Sequence, residues 1–146
     1  MLKIIIPLAG SSELYTNAGF SYPKPLVEID GKPMIQVVIE QFQSITEPFQ
    51  AVFILKDEDV RKFHLDNTIR LLAPNSEIVK LKSDTKGALC SILMTIDSLS
   101  DDDRILVLNG DQIINHNFQA ILSSFDERKA DVGIVTFPSV HPRWSY

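Results

Sequence analysis

Short unbroken apolar runs alternate along this chain with stretches of helical period. Lys3-Ile4-Ile5-Ile6 is rich in β-branched residues and lacks polar alternation, the pattern of a strand buried on both faces. Pro7 closes it. The Gly-, Ser- and Asn-containing stretch from Leu8 to Tyr22 is too irregular for a helix and longer than compact domains usually leave idle. Leu26-Val27-Glu28-Ile29 predicts a small strand turning at Asp30-Gly31. Pro33 suits the first turn of a helix, and Met34, Ile35, Val38, Ile39 and Phe42 recur at helical spacing, carrying that helix to about Ser44. Ala51-Val52-Phe53-Ile54-Leu55 is a second buried strand.

Asp57-Glu58-Asp59 put carboxylates in the first turn of another helix, where the macrodipole favours them, with Val60, Phe63 and His64 as its inner face. Glu77–Leu81 alternates and reads as a third strand. Gly87 to about Ile96 predicts a helix with Leu89, Ile92, Leu93 and Ile96 on one side and Cys90 as a small core filler. Asp101-Asp102-Asp103 reads as a solvated turn. Arg104-Ile105-Leu106-Val107-Leu108 has the strongest pattern of a central strand, and it runs into Asn109-Gly110-Asp111-Gln112. A helix near Phe118–Phe125 and a strand at Val132–Thr136 complete the set. Strands alternating with helices imply βαβ units, and hence an α/β fold: a three-layer α/β/α sandwich around a mostly parallel twisted sheet, with Lys3–Ile6 and Arg104–Leu108 at its centre. Ligands of such sheets sit beyond the carboxyl ends of the strands. The Leu8 loop and Asn109-Gly110-Asp111 both fall there. Pro138 to Tyr146 carries the single tryptophan and reads as the start of a further segment.

At 146 residues the chain is one domain with enough surface to bury a real core. Asp and Glu number 19 against 14 Lys and Arg, a net charge of −5 that argues against a sequence-independent grip on nucleic acid or anionic lipid. Locally, one lysine and a metal ion can still neutralise a phosphate. No apolar run approaches a membrane span, Met1-Leu2-Lys3 opens directly into a strand, and one cysteine cannot staple the fold, so the expected compartment is the cytoplasm.

Four segments could carry chemistry. Leu8-Ala9-Gly10-Ser11-Ser12 follows a buried strand, where backbone N–H groups can wrap an anion if small residues let it approach; it could equally be a plain surface loop. Lys24 stands between Pro23 and Pro25, which bias it to extended backbone and aim its charge at little entropic cost. Asp111, after Gly110 at the end of an apolar strand, is placed to hold a divalent cation that bridges phosphates; the competing role is a helix cap or Asx-turn. Thr85-Lys86-Gly87-Ala88 opens a helix, with no side chain at Gly87 to keep a flat base off the backbone. His64, His116 and His141 have no metal-ligand spacing, and no Ser, His and Asp set marks a nucleophilic triad.

Taken in order, Leu8-Ala9-Gly10, Pro23-Lys24-Pro25-Leu26-Val27, Gly31-Lys32-Pro33-Met34-Ile35, Gly87-Ala88 and Asn109-Gly110-Asp111 resemble the sugar-phosphate nucleotidylyltransferase family. His141-Pro142-Arg143-Trp144-Ser145-Tyr146 is similar to the segment leading into the second half of relatives from capsule and lipopolysaccharide sugar pathways. The resemblance implies that residues 1–146 are the nucleotide-binding part, with the acceptor-binding half not represented. It implies transfer of a nucleoside monophosphate from a nucleoside triphosphate to a phosphorylated sugar or alcohol, with release of pyrophosphate and use of Mg²⁺. In that scheme Leu8, Ala9, Gly10, Gly87, Ala88, Asn109 and Gly110 hold the nucleotide, Lys24 stabilises phosphate charge and Asp111 ligates the metal. The family's loop reads Leu-Ala-Gly-x-Gly-x-Arg. Here Ser12 replaces the second glycine, Leu14 replaces the arginine, and Glu13 adds negative charge. A catalytically silent module binding a nucleotide or nucleotide sugar is therefore a second reading. A glycosyltransferase of the related A-type fold is a third, although Asp111-Gln112-Ile113 lacks the Asp-x-Asp such enzymes favour. The sequence leaves base, acceptor and homo-oligomer formation open.

Overall fold

The computed structural model describes residues 1–139. The chain enters on β1 (Leu2–Pro7), passes through a five-residue helix α1 (Glu13–Asn17) and a 3-10 turn at Lys24–Leu26, and makes a small hairpin from β2 (Glu28–Ile29) and β3 (Lys32–Pro33). Helix α2 (Met34–Glu40) tightens into a 3-10 turn over Gln41–Ser44. There follow β4 (Phe49–Lys56), α3 (Asp57–Phe63), α4 (Leu65–Leu72), β5 (Glu77–Leu81), α5 (Ala88–Leu93), a 3-10 turn at Ile96–Ser98, β6 (Arg104–Val107) and α6 (Phe118–Glu127).

Four parallel strands make one sheet in the order β5-β4-β1-β6. Chain order runs outward from β1 through β4 to β5, then returns across the sheet to place β6 on the other side of β1. The direction of winding reverses between β1 and β6, and that switch point is where an open α/β sheet forms a crevice beyond its strand ends. Side chains alternate across the pleat. Ile4, Ile6, Phe53 and Leu55 enter the large core with Ile35 and Val38 of α2, Leu65 and Ile69 of α4, and Phe118, Ile121 and Leu122 of α6. Ile5, Ile54 and Leu81 face the other way, against Ile92 and Leu99. Each such fully buried aliphatic or aromatic side chain contributes about 1.5–3 kcal/mol. The architecture is the expected α/β sandwich, with α5 the helix of its thinner layer.

Several local expectations are corrected. The run at residues 104–108 forms a strand, but at the edge of the sheet: Ile105 is 52% and Val107 46% exposed, with only Leu106 and Leu108 turned to the core. An unbroken apolar run marks two apolar faces, and it does not require that both be covered. Residues 132–136 form no strand, and Val132, Ile134 and Val135 stand exposed beside that edge. The stretch after β1 does hold a helix, α1, stabilised by local bonds such as Thr16 N–H to the Ser12 carbonyl. Lys24 is not extended. Pro23 is, and Lys24 begins the 3-10 turn, because buried Pro25 needs no backbone donor there while Leu26 and Val27 bond back to the Pro23 and Lys24 carbonyls. Residues 26–29 yield strand only at Glu28–Ile29, and Pro33 precedes α2 by pairing with Glu28 in the hairpin. His64 lies outside the core: it is exposed, in left-handed backbone, linking α3 to the unforeseen helix α4. On α5 the buried positions are Ser91 and, just beyond it, Thr95, while Leu89, Leu93, Ile96 and Cys90 are exposed. The expected continuation at His141–Tyr146 lies outside the described residues.

Asp103 is also less solvated than its run of three suggests. It accepts a hydrogen bond from the Ser100 N–H and pairs with the N-terminal ammonium at 3.0 Å, and these hold its carboxyl below the usual range. Asp66 is lowered likewise, by the Lys80 ammonium at 2.8 Å. Asp59 runs the other way, raised by burial. Lowered groups stabilise the fold above their ordinary value near 4 and lose that contribution as pH falls through their folded value; Asp59 becomes less destabilising over the acid limb. The thermal midpoint is therefore expected to drop as pH falls below about 4, and Lys80→Met to make the drop shallower. A midpoint of Lys80→Met that falls as steeply as that of the unaltered chain would count against the Asp66 pair.

Candidate active site

A cavity of about 440 Å³ opens at the carboxyl ends of the strands, lined by the end of β4 and by the segments that follow the other three. From β1 come Pro7 and the backbone-rich Ala9, Gly10 and Ser11; from β4 its last residue, Lys56. The segment after β5 supplies Asp84, Thr85, Gly87 and Ala88, and the loop after β6 supplies Asn109, Gly110 and Asp111. Lys24 reaches in from its 3-10 turn.

The centre of the site is an ion pair. Lys24 Nζ lies 2.8 Å from Asp111 Oδ2, between residues 87 apart in sequence. Both ends are held by backbone. Ser12 Oγ accepts a hydrogen bond from the Lys24 N–H at 3.1 Å, which ties the loop after β1 to the lysine turn. Gly110 is close-packed: a Cβ there would stand 2.0 Å from Leu8 Cδ2. Leu8 itself is buried, and its N–H donates to the Ile54 carbonyl at 2.8 Å, so it supports the loop from below and does not line the cavity. Gly87 sits at φ 136°, a conformation open to glycine and strained for other residues, and it turns the chain into α5. Thr85 Oγ1 donates to the Gly87 carbonyl and lies 2.6 Å from Ser91 Oγ, which makes a polar wall.

Thus Ala9, Gly10, Lys24, Gly87, Ala88, Asn109, Gly110 and Asp111 surround one cavity, and Leu8 lies beneath it. Lys86 is exposed and does not line it. Leu14, at the position aligned with the arginine, is 78% exposed on α1 next to exposed Glu13, and neither residue lines the cavity. Sequence reading passed over Lys56 and Asp84, which meet at 2.7 Å in the cavity's lining. A lysine at the end of a buried strand was the available signal.

Asp111 is the candidate metal ligand. Among the described residues no three His, Cys, Asp or Glu side chains cluster as a cage. A lone carboxylate fits Mg²⁺ that arrives with a triphosphate and takes its other ligands from phosphate oxygens and water. A larger cleft of about 800 Å³ runs along the open edge of β6 beside residues 132–135. Its cation, Arg104, is paired with both Glu47 and Asp126, and the cleft is the unpaired side of a strand.

Comparison with known proteins gives a consistent result. The model of the nucleotidyl transferase family matches residues 17–144. The 8-amino-3,8-dideoxy-manno-octulosonate cytidylyltransferase of Shewanella sediminis is 30% identical over 117 residues, covering 77% of this chain and 45% of that protein. The bifunctional protein GlmU of Methanococcus maripaludis is 29% identical over 121 residues, covering 83% and 27% respectively. Among solved structures, HddC from Yersinia pseudotuberculosis superposes with a TM-score of 0.68 at 16% identity, over 86% of this chain and 54% of that one, a likeness of fold. The chain spans less than half the length of these two curated relatives. Among the described residues no helix is long and apolar enough to cross a membrane.

Proposed function

The chain belongs to the nucleotidyl transferase family, and from that premise we propose that its cavity binds a nucleoside triphosphate for transfer of the nucleoside monophosphate to a phosphorylated sugar or alcohol. The observation that carries this reading is the Lys24–Asp111 pair at 2.8 Å, set at the switch point beside a loop of small residues. A phosphate oxygen of the acceptor attacks the α-phosphorus. The bond from that phosphorus to the bridging oxygen breaks, and pyrophosphate leaves with the electron pair. Such a reaction asks the protein for position and charge more than for covalent chemistry. Ala9, Gly10 and Gly87-Ala88 offer backbone on which base and ribose can lie, with Leu8 as the support. Asn109 and Gly110 set the approach of Asp111, and Lys24 opposes the negative charge that grows on the phosphates. When bound, Mg²⁺ on Asp111 would supply further neutralisation. The product is a nucleotide sugar of the kind used to build surface polysaccharides, and the compartment we assign is the cytoplasm.

Leu14 and Glu13 favour a second reading, a module that binds the nucleotide and scarcely turns it over. An arginine at position 14 would supply a planar cationic fork long enough to reach from α1 for a phosphate, whereas leucine offers neither charge nor donors. Calorimetry with a panel of nucleoside triphosphates and Mg²⁺, paired with pyrophosphate release in the presence of sugar phosphates, separates the two. Pyrophosphate release that depends on a sugar phosphate is the result expected of the transferase, weak binding with slow or absent turnover that of the silent module, and in either case Leu14→Arg is expected to bind about tenfold tighter. Brisk turnover by the unaltered 146-residue chain would exclude the silent reading, and a Leu14→Arg variant that binds no better would show that a missing cation does not limit the site.

A further inference from the structure

Building on the nucleotide site proposed above, we propose that Lys56 is a second phosphate-contacting residue, supplying from the end of β4 the positive charge that the loop at Leu14 lacks. The cavity is lined by two cations, Lys24 and Lys56, and two carboxylates, Asp111 and Asp84, which leave it with no net charge. A triphosphate brings about four negative charges, and one lysine opposes few of them. Lys56 is well founded for the task. It is the last residue of a strand whose preceding five positions are buried, so its Cα is fixed at the sheet's carboxyl edge. Its side chain is 25% exposed and directed into the cavity, while its partner Asp84 is 80% exposed on the loop before α5.

That asymmetry identifies which partner gives way. A bond between a shielded lysine and a carboxylate on an exposed loop is weak, because water solvates the carboxylate nearly as well when it is released. An incoming polyphosphate presents more charge at Lys56 than Asp84 does, so it displaces the aspartate and takes the ammonium. Lys24 and Asp111 form a second pair in the same lining, together with Ala9, Gly10 and Ser11. Empty, the cavity keeps both cations masked; filled, it shares them with the ligand.

A loop tether is the competing role for the same ion pair, and the two roles give opposite signs. Inorganic tripolyphosphate, titrated calorimetrically without divalent cations, probes the charge directly; the common nucleoside triphosphates with Mg²⁺ probe the site as a whole. Lys56→Ala is expected to weaken tripolyphosphate binding about tenfold and to flatten its dependence on salt, and Lys56→Arg to restore most of it. Asp84→Asn is expected to tighten binding about threefold by unmasking the lysine. A tether would instead make Lys56→Ala and Asp84→Asn weaken binding alike, and that result overturns the proposal. So does a Lys56→Ala variant that binds as the unaltered chain does while Lys24→Ala fails, which leaves the nucleotide site standing without Lys56. If neither tripolyphosphate nor any nucleotide binds the unaltered chain, the nucleotide reading itself falls.

Discussion

Lys24→Ala is expected to weaken nucleoside triphosphate binding by roughly ten- to a hundredfold, the range spanned by losing one hydrogen bond to a charged group. The lysine is costly to replace because so little of its placement is left to chance. Two prolines bracket it, Pro25 is buried, and its own N–H is bonded to Ser12 Oγ. A cation pre-set in this way loses less entropy on meeting a phosphate than one on a free surface chain. Asp111→Asn should separate the two halves of the pair. Without divalent cations it frees the Lys24 ammonium from its partner at 2.8 Å, so tripolyphosphate should bind at least as tightly as to the unaltered chain. With Mg²⁺ the same variant should lose the added affinity for nucleoside triphosphates, because no carboxylate remains at that position to share the ion. Calorimetry with and without Mg²⁺ measures both arms. If Asp111→Asn weakens metal-free binding as much as Lys24→Ala does, the pair acts as one structural clasp and the division of labour is wrong.

The meeting of Gly10 and Asp111 was legible in the sequence because each follows the end of an apolar run, and a parallel sheet gathers such ends on one side; Lys24, on a 3-10 turn outside that sheet, and Gly87, six residues beyond β5, join them through their loops. Strand burial was less legible. Residues 3–6 and 104–108 carry the same unbroken pattern, yet the first is central and the second an edge, since flanking strands come from distant parts of the chain. Helix faces misled for a related reason. Leu89, Leu93 and Ile96 form the more apolar stripe of their segment, but Ser91 and Thr95 are its buried positions, with hydroxyls satisfied locally: Ser91 meets Thr85, and Thr95 donates to the Ile92 carbonyl. Periodicity reports how a helix divides into faces, and only packing decides which face turns inward. Lys56 and Asp84 escaped notice because one ends a strand and the other lies in a loop, 28 positions later, with nothing local to join them.

Gly110→Ala is expected to destabilise the fold by about 1–3 kcal/mol and to impair the site beyond what that loss explains. The added methyl would stand 2.0 Å from Leu8 Cδ2 and 3.2 Å from its Cγ. Leu8 has little room to yield, being 3% exposed in the large core and bound through its N–H to β4. The strain must then pass to the backbone of residues 109–111, which carries Asp111 toward Lys24. A shift of about 1 Å in a positioned charge can cost on the order of a hundredfold in a reaction governed by geometry. A double-mutant cycle with Leu8→Ala identifies the source. Alone, Leu8→Ala should cost about 2–5 kcal/mol as a core truncation, but it removes the atoms that the new methyl would strike. Adding Gly110→Ala in that background should therefore cost much less than in the unaltered chain, with a coupling of at least 0.5 kcal/mol measured by urea unfolding. Additive losses would mean that Gly110 is needed for its backbone freedom and not for its closeness to Leu8, and the steric link between core and site would have to be abandoned.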